Sequence, residues 1–198
     1  SEMCIRDSRI EQYVEMALQY QRLDSETTDF VFEETDLDEI IRTSVRKYAR
    51  QFIAKKISLS YEPVETTVIT DKKWLSFVIE QVISNAVKYT KTGGIKIYLE
   101  DGDGTMSVPV QKASHRKEDD GENSGMKSVR LVIEDTGIGI RAEDLPRICE
   151  MGYTGCNGHE GQHSSGIGLY LCSRILKKLG HTFSITSKEG VGTVVKIG

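Results

Sequence analysis

The sequence predicts an α/β (α+β) two-layer sandwich, with one mixed β-sheet covered on one face by about three helices. Short runs of alternating apolar and polar residues, typical of half-buried strands, recur along the chain. Three longer segments between them carry apolar residues at helical spacing. The length of 198 residues suits one domain of this kind with a short appendage.

The elements can be assigned in order. A short amphipathic helix is predicted from Arg9 to Leu23, and a second helix begins at the capping box Asp36–Glu39. A third helix follows Asp71, whose carboxylate is placed to cap it, and a fourth begins near Leu169. A short helix is expected near residues 143–149. Strands are predicted at residues 30–34, 57–61, 67–70, 95–100, 129–134, 182–186 and 193–197.

Two pairs of glycines near the C-terminus indicate a nucleotide pocket. The first pair lies in the run EDTGIGI, directly after a predicted strand. A buried carboxylate only accepts hydrogen bonds, so Asp135 suits the exocyclic amino group of adenine. Gly137 and Gly139 permit positive φ and let the backbone approach a flat base. The second pair, Gly166 and Gly168, begins a helix whose free amides suit phosphate oxygens.

A third motif lies on the helix that follows Asp71. Gln81, Asn85 and Lys88 are spaced i, i+4 and i+7, so they line up along one ridge. The amide oxygen of Asn85 can ligate Mg²⁺, which prefers oxygen donors and keeps several waters while it bridges phosphates. Lys88 supplies a positive charge to those phosphates. Each motif alone is common, but the three together indicate a site for a magnesium nucleotide.

These motifs make the chain resemble the ATP-binding catalytic domain of bacterial sensor histidine kinases. The resemblance rests on the runs QVISNAVKYT, EDTGIGI, SSGIGLYL and EGVGTVVKI, in that order, and covers about residues 30–198. It implies the Bergerat-type ATP-binding fold of the GHKL superfamily, which includes type II topoisomerases, Hsp90 chaperones and MutL proteins. Three runs, LQYQRLDS, KKISLSYE and TDKKWLSFVIEQVISNAVKYT, are similar to those of kinases that Gram-positive bacteria pair with peptide-antibiotic transporters, such as those that sense bacitracin.

The resemblance implies ATP and Mg²⁺ as ligands and gives roles to the matching residues. Asn85 is expected to hold Mg²⁺, and Lys88 and Tyr89 to flank the phosphates and the sugar. Asp135 is expected to read adenine, with support from the last glycine box around Thr193. The predicted nucleotide-binding residues are Gln81, Asn85, Lys88, Tyr89, Asp135, Gly137, Gly139, Ile140, Tyr153, Thr154, Gly166, Gly168, Leu169 and Thr193.

The resemblance also implies how the chain is divided. Residues 1–28 are expected to be a remnant of the dimerisation and histidine-phosphotransfer helix with its linker, and residues 29–198 the ATP-binding catalytic domain. Residues 101–127 are a polar insertion that we expect to be flexible, and residues 149–166 are the expected ATP lid. Which lid residue contacts the γ-phosphate stays open, because histidines stand where this family often has Arg or Lys.

The lid also raises a zinc alternative. Cys156, His159 and His163 have spacing that resembles a set of zinc ligands. A second ligand pair is missing, however, and the gap from Cys149 is unusually long. A polar lid is therefore the prediction that we carry forward.

The implied function is transfer of the γ-phosphate of Mg-ATP to a histidine on a dimerisation hairpin, in two-component signalling with a response regulator. None of His115, His159, His163 and His181 precedes an acidic residue on a predicted helix, so the chain is not expected to autophosphorylate alone. The parent protein is expected to be a homodimer. Two alternatives stay open: an ATP-hydrolysing conformational module, which needs a glutamate where Gln81 stands, and a non-catalytic nucleotide sensor.

Composition excludes several other classes. The net charge is −4 and basic residues form no block, so a nucleic-acid partner is not expected. The four cysteines form no secreted disulfide pattern, which favours a reducing cytosol. No apolar run approaches the roughly twenty residues that span a bilayer. We therefore expect the cytosolic portion of a membrane sensor kinase, without direct membrane insertion by this segment.

Overall fold

The computed structural model describes residues 14, 16–18, 21–23, 30–64, 66–109, 126–155 and 165–198, with only the backbone described at 102–109 and 126–127. The helices are α1 (Leu37–Lys55), α2 (Lys72–Tyr89) and α3 (Gly168–Leu179). The strands are β1 (Glu33–Asp36), β2 (Ser58–Tyr61), β3 (Thr67–Thr70), β4 (Gly94–Pro109), β5 (Met126–Asp135), β6 (Phe183–Lys188) and β7 (Gly192–Ile197).

Five strands form the main sheet, in the order β2-β4-β5-β7-β6. β2 runs parallel to β4 and the other neighbours are antiparallel, so the sheet is mixed. The apolar stripes of α2 and α3 are buried in one core with the inward-facing residues of β4 and β5. The predicted two-layer sandwich is therefore confirmed. Fully buried members of this core include Leu75, Ile79, Ile83, Ile95, Leu131 and Leu171.

Aspartate side chains cap the N-termini of α1 and α2, as the sequence predicts. Asp36 accepts a hydrogen bond from the Glu39 amide at 3.2 Å, and Asp71 accepts one from the Trp74 amide at 3.1 Å. The predicted capping box forms only in part, because the Glu39 carboxylate binds Lys72 Nζ at 2.8 Å instead. That ion pair links the first turns of the two helices.

β1 and β3 form a separate two-stranded antiparallel sheet, which the sequence analysis did not foresee. β1 begins at Glu33, later than predicted. β2 and β3 do not pair with each other, because Asp38 holds the segment between them against the start of α1. Its carboxylate accepts hydrogen bonds from the Tyr61 hydroxyl and, at 3.1 Å, from the Val64 amide.

The hairpin of β4 and β5 continues past its predicted ends. Backbone pairing extends to Pro109 and Met126, with a register shift between Asp101 and Met106. Both ends of the polar insertion predicted at 101–127 are therefore strand, since backbone pairing does not need apolar side chains. Residues 110–125 lie outside the described residues.

Three further points concern helices and domain limits. The helix predicted near 143–149 is a single 3₁₀ turn, Leu145–Arg147, whose proline lacks the donor of a longer helix. The described residues between 14 and 23 are helical, as predicted. The proposed boundary at residue 28 lies outside the described residues. No helix in the described ranges is long and apolar enough to cross a membrane.

Candidate functional site

A cavity of about 590 Å³ lies between α2, the start of α3 and the inner face of the sheet. The structure brings the predicted nucleotide-binding residues together around it, with the exception of Gly137, which lies just behind the wall. The predicted residues that line the cavity are Gln81, Asn85, Lys88, Tyr89, Asp135, Gly139, Ile140, Tyr153, Thr154, Gly166, Gly168, Leu169 and Thr193.

Asp135, the last residue of β5, provides a carboxylate in this wall. Burial raises its pKa from the usual 3.8 to about 6, although hydrogen bonds from the backbone amides of Gly137 and Thr193 oppose the shift. The Gly137 amide donates to Asp135 Oδ1 at 2.8 Å. A Cβ on Gly137 would lie 2.7 Å from the Tyr89 carbonyl oxygen, so this glycine permits a close approach of two backbones.

The turn after Asp135 is held against the turn between β6 and β7. Gly139 has a φ of 69°, and an added Cβ would overlap the Lys188 carbonyl oxygen. The Ile138 carbonyl accepts a hydrogen bond from the Gly190 amide at 2.8 Å, and Ser187 Oγ accepts one from the Ile140 amide at 2.8 Å. Two turns in contact therefore build this end of the cavity.

The ridge of α2 forms the opposite wall. Gln81 is almost fully buried, and a Cβ on Gly168 would lie 3.1 Å from its Oε1 atom, so the amide sits against the start of α3. Asn85 and Lys88 follow along the same wall. Lys88 Nζ lies 5.0 Å from the centroid of the Tyr89 ring. This wall presents amides and a cation, whereas the Asp135 end presents a carboxylate.

The side chains of the α2 wall offer few oxygen ligands for Mg²⁺. Among the described residues, no three His, Cys, Asp or Glu side chains cluster as metal ligands. The amide oxygens of Gln81 and Asn85 offer one or two neutral oxygen donors. Such a wall fits Mg²⁺ that keeps most of its ligands as waters and substrate phosphates, and does not fit a metal cage built from protein alone.

The ends of the predicted lid meet at the cavity. The Gly152 amide donates to the Gly166 carbonyl at 3.0 Å, and Gly166 has a φ of 65°. The Tyr153 hydroxyl donates to Asp144, and Arg147 stacks over the Tyr153 ring at 4.4 Å. Residues 156–164 lie outside the described residues, and with them three of the four ligands of the zinc alternative and both lid histidines.

Sequence reasoning missed one wall of the cavity. Tyr48, Gln51, Ala54 and Lys55 of α1 line it, as does Met16, whose sulfur lies 3.9 Å from Ser165 Oγ. The pattern of α1 predicts only which residues enter the core, and these side chains lie beside that stripe. The available signal was the i, i+3, i+7 spacing of Tyr48, Gln51 and Lys55, which places them along one face much as the i, i+4, i+7 spacing does on α2.

Comparisons with known proteins identify the family of this chain. Residues 70–198 match the family described as histidine kinase-, DNA gyrase B-, and HSP90-like ATPase. The chain is 33% identical over 192 residues to Sensor histidine kinase YxdK of Bacillus subtilis; the aligned region covers 95% of this chain and 52% of that protein. It is 30% identical over 191 residues to Sensor protein kinase GraS of Staphylococcus aureus, covering 96% of this chain and 49% of that protein.

Solved structures share the fold. Full-length ShkA in complex with AMPPNP matches 98% of this chain and 37% of its own, with a TM-score of 0.72 and 19% identity. The catalytic domain of histidine kinase ThkA matches 85% of this chain and 94% of its own, with a TM-score of 0.63 and 21% identity.

The chain therefore belongs to the family of histidine kinase-, DNA gyrase B- and HSP90-like ATPases. The two curated relatives named above are sensor histidine kinases. The chain spans about half the length of these relatives.

Proposed function

We propose that this domain binds Mg-ATP in the cavity and presents the γ-phosphate to a histidine on the dimerisation hairpin of the same kinase. The phosphoryl group then passes to a response regulator. One observation carries the proposal: a single cavity has a buried carboxylate at one end and an amide-and-lysine ridge at the other. Its volume of about 590 Å³ lies within the usual range for small-molecule sites.

The end of the cavity that holds the Asp135 carboxylate suits the adenine base. The Asp135 carboxylate offers only acceptors, and amides of Gly137 and Thr193 hold it in place. Remaining lone pairs can accept a hydrogen bond from the adenine amino group. The contact between the two turns keeps this carboxylate fixed, so recognition does not require it to reorganise.

The ridge end suits the phosphates. Asn85 would hold Mg²⁺ through its amide oxygen, and Lys88 would place its ammonium group beside the phosphate oxygens. The amides at the start of α3, next to Gly168, add donors and the positive end of the helix dipole. When bound, Mg²⁺ neutralises phosphate charge, which is the main electrostatic demand of phosphoryl transfer.

The affinity for ATP is expected to fall as the pH is lowered through about 6, because the adenine amino group needs the ionised form of Asp135. Affinity is complete well above that pH and declines below it, approaching about tenfold per pH unit. The raised pKa has the opposite effect on folding: its contribution to stability is present below 3.8 and is lost as the pH rises through about 6.

Calorimetric titrations with ATP from pH 5 to pH 8, beside melting curves, check this expectation. Because the two effects of Asp135 have opposite sign, lost affinity without a fall in melting temperature separates its titration from acid unfolding. An affinity that stays constant across this range would exclude the carboxylate as the base contact.

The acceptor histidine is proposed to lie in the parent protein outside this chain. Of the four histidines, His181 is the one within the described residues. Its Nε2 atom lies 3.0 Å from Thr70 Oγ1, and burial lowers its pKa. It does not line the cavity, which is consistent with a structural role. We further propose a homodimeric parent in which this domain works on the cytosolic side of the membrane.

Titration of the purified chain with ATP, with and without Mg²⁺, is the first test. The proposal requires binding that Mg²⁺ strengthens, followed by phosphotransfer to the hairpin of the parent protein when that is supplied in trans. Binding with steady hydrolysis and no phosphotransfer would favour the ATPase alternative. Binding with neither activity would favour the nucleotide sensor, and no binding by the folded chain would overturn all three.

Gln81 bears on the ATPase alternative. A glutamine cannot act as a general base, so hydrolysis of ATP by the wild-type chain is expected to be very slow. Gln81→Glu puts a carboxylate on the same ridge and is expected to raise hydrolysis at least about tenfold, towards the usual contribution of a general base. Steady-state release of phosphate measures it.

Glu80→Gln is the matched control, because Glu80 lies on the neighbouring face and binds Lys47 at 2.5 Å. It should leave hydrolysis unchanged. Rapid hydrolysis by the wild-type chain, or equal rates in wild type and Gln81→Glu, would contradict this account of Gln81.

A further inference from the structure

The helices α1, α2 and α3 do not all end in the same way. α1 ends at Lys56 and α3 at Gly180, both in the left-handed conformation. In each case two backbone amides fold back onto the last carbonyls, for example Gly180 and His181 onto Lys177 and Leu176. α2 ends instead at Thr90 in an extended conformation, with one backbone bond from the Thr90 amide to the Ala86 carbonyl at 3.0 Å. The following carbonyls must find partners elsewhere.

Lys55, the last residue of α1, supplies those partners. Its Nζ atom donates to the carbonyls of Val87 at 2.6 Å, Lys88 at 3.0 Å and Thr90 at 3.3 Å. These bonds use all three donors of an ammonium group. A positive charge at this position also opposes the negative end of the α2 dipole. α2 is therefore capped in trans, by a side chain from another helix.

The remaining carbonyl in this turn connects α2 to the base end of the cavity. The Tyr89 carbonyl accepts a hydrogen bond from the Ile138 amide at 3.2 Å. Lys55 holds the carbonyls on both sides of it. The turn that Lys55 caps carries the side chains of Lys88 and Tyr89, and Lys55 itself lines the cavity.

We propose that Lys55 is a positioning residue for the nucleotide site: by capping α2 in trans, it fixes Lys88 and Tyr89 relative to the Asp135 turn. This inference rests on the proposed function, since it concerns the same bound nucleotide. Without the ammonium group, the last turn of α2 loses three hydrogen bonds to its carbonyls and loosens. The phosphate side of the site is lost first, because the Asp135 turn keeps its own contacts with Lys188 and Gly190.

The alternative is that Lys55 only links α1 to α2 and does not position the nucleotide site. Lys47 provides a control for this alternative. Lys47 also extends from α1 to α2, where it binds Glu80 at 2.5 Å, but it does not line the cavity. Lys47→Met therefore removes one lysine link between the same two helices. Lys55→Met removes the lysine that caps the last turn of α2, and Lys55→Arg keeps a cation of similar reach.

The test measures affinities for Mg-ATP and for adenosine, together with melting temperatures, for the wild-type chain and the three variants. Lys55→Met should weaken Mg-ATP binding at least about tenfold, since hydrogen bonds from a charged donor are lost. Adenosine binding should weaken less. Lys55→Arg should recover Mg-ATP affinity to within about threefold of wild type, and Lys47→Met should leave both affinities unchanged while lowering stability at most slightly.

Two results would overturn the role of Lys55: wild-type affinity in Lys55→Met, or equal losses in Lys55→Met and Lys47→Met. If Lys55→Met does not fold, Lys55→Gln replaces it, because its shorter side chain lacks the charge and has two donors instead of three; an affinity no lower than that of Lys47→Met overturns the proposal equally. Absence of binding by the wild-type chain is a different failure, because it overturns the proposed function itself.

Discussion

Asp135→Asn is expected to weaken ATP binding by about 10- to 150-fold, which corresponds to the loss of a hydrogen bond to a charged group. The two side chains have the same shape. Asparagine can keep one oxygen for the Gly137 amide, which donates to Asp135 Oδ1 at 2.8 Å. Its NH₂ group then points into the cavity, where the adenine amino group is also a donor. Two donors face each other in place of a hydrogen bond.

Calorimetry gives the dissociation constants, and Glu134→Gln is the matched control. Glu134 is the preceding residue of β5, so its side chain points to the other face of the sheet and the same charge is removed away from the cavity. Its affinity should equal that of wild type. The pH dependence expected for Asp135 should disappear in Asp135→Asn. Equal affinities for Asp135→Asn and wild type would exclude the assignment of the base end.

Gly139→Ala is expected to destabilise the fold by about 2 to 5 kcal/mol and to abolish nucleotide binding. Two costs combine. A left-handed φ costs a residue with a Cβ about 1 to 2 kcal/mol, and overpacking adds about 1 to 3 kcal/mol. The added Cβ would overlap the Lys188 carbonyl oxygen, which belongs to backbone and cannot rotate away. The turn after Asp135 would have to leave the β6–β7 turn, and the base end of the cavity would open.

Gly190→Ala separates the two costs. Gly190 lies in the turn that Gly139 touches and also has a positive φ, of 74°, but an added Cβ there meets nothing within 4 Å. Only the conformational cost applies, so unfolding by denaturant should show a loss of about 1 to 2 kcal/mol. ATP binding should survive. A similar loss of stability in both variants would mean that the contact with Lys188 contributes nothing.

The local part of the structure could be predicted from sequence because its causes are local. Asp71 caps α2 through an amide three residues away, and the apolar stripe of α2 becomes its buried face. α3 begins at Gly168, one residue from its predicted start. The predicted nucleotide-binding residues on these elements gather because the end of β5, the start of α3 and the C-terminal half of α2 all border the same cavity.

The remainder depends on contacts between residues that are distant in sequence. β2 pairs with β4, more than thirty residues later, and no pattern in four residues of β2 specifies that partner. Asp38 decides where β3 goes by holding Val64, which a capping box does not reveal. The contribution of α1 to the cavity was missed for the same reason. Lys55 appears in sequence only as one more basic residue at the end of a helix.

The bond between Gly152 and Gly166 has a consequence for how this domain can be altered. It joins the backbone on the two sides of residues 153–165, which make up most of the predicted lid, so the length of this segment can change while its two ends stay in place. The entropic cost of closing a loop rises by only about 0.6 kcal/mol for each doubling of its length. We therefore expect insertions, deletions or wholly different sequences in the predicted lid to be tolerated without displacement of Asp135 or Asn85. We expect the γ-phosphate contacts of the predicted lid to be open to divergence or redesign while the proposed base pocket stays unchanged.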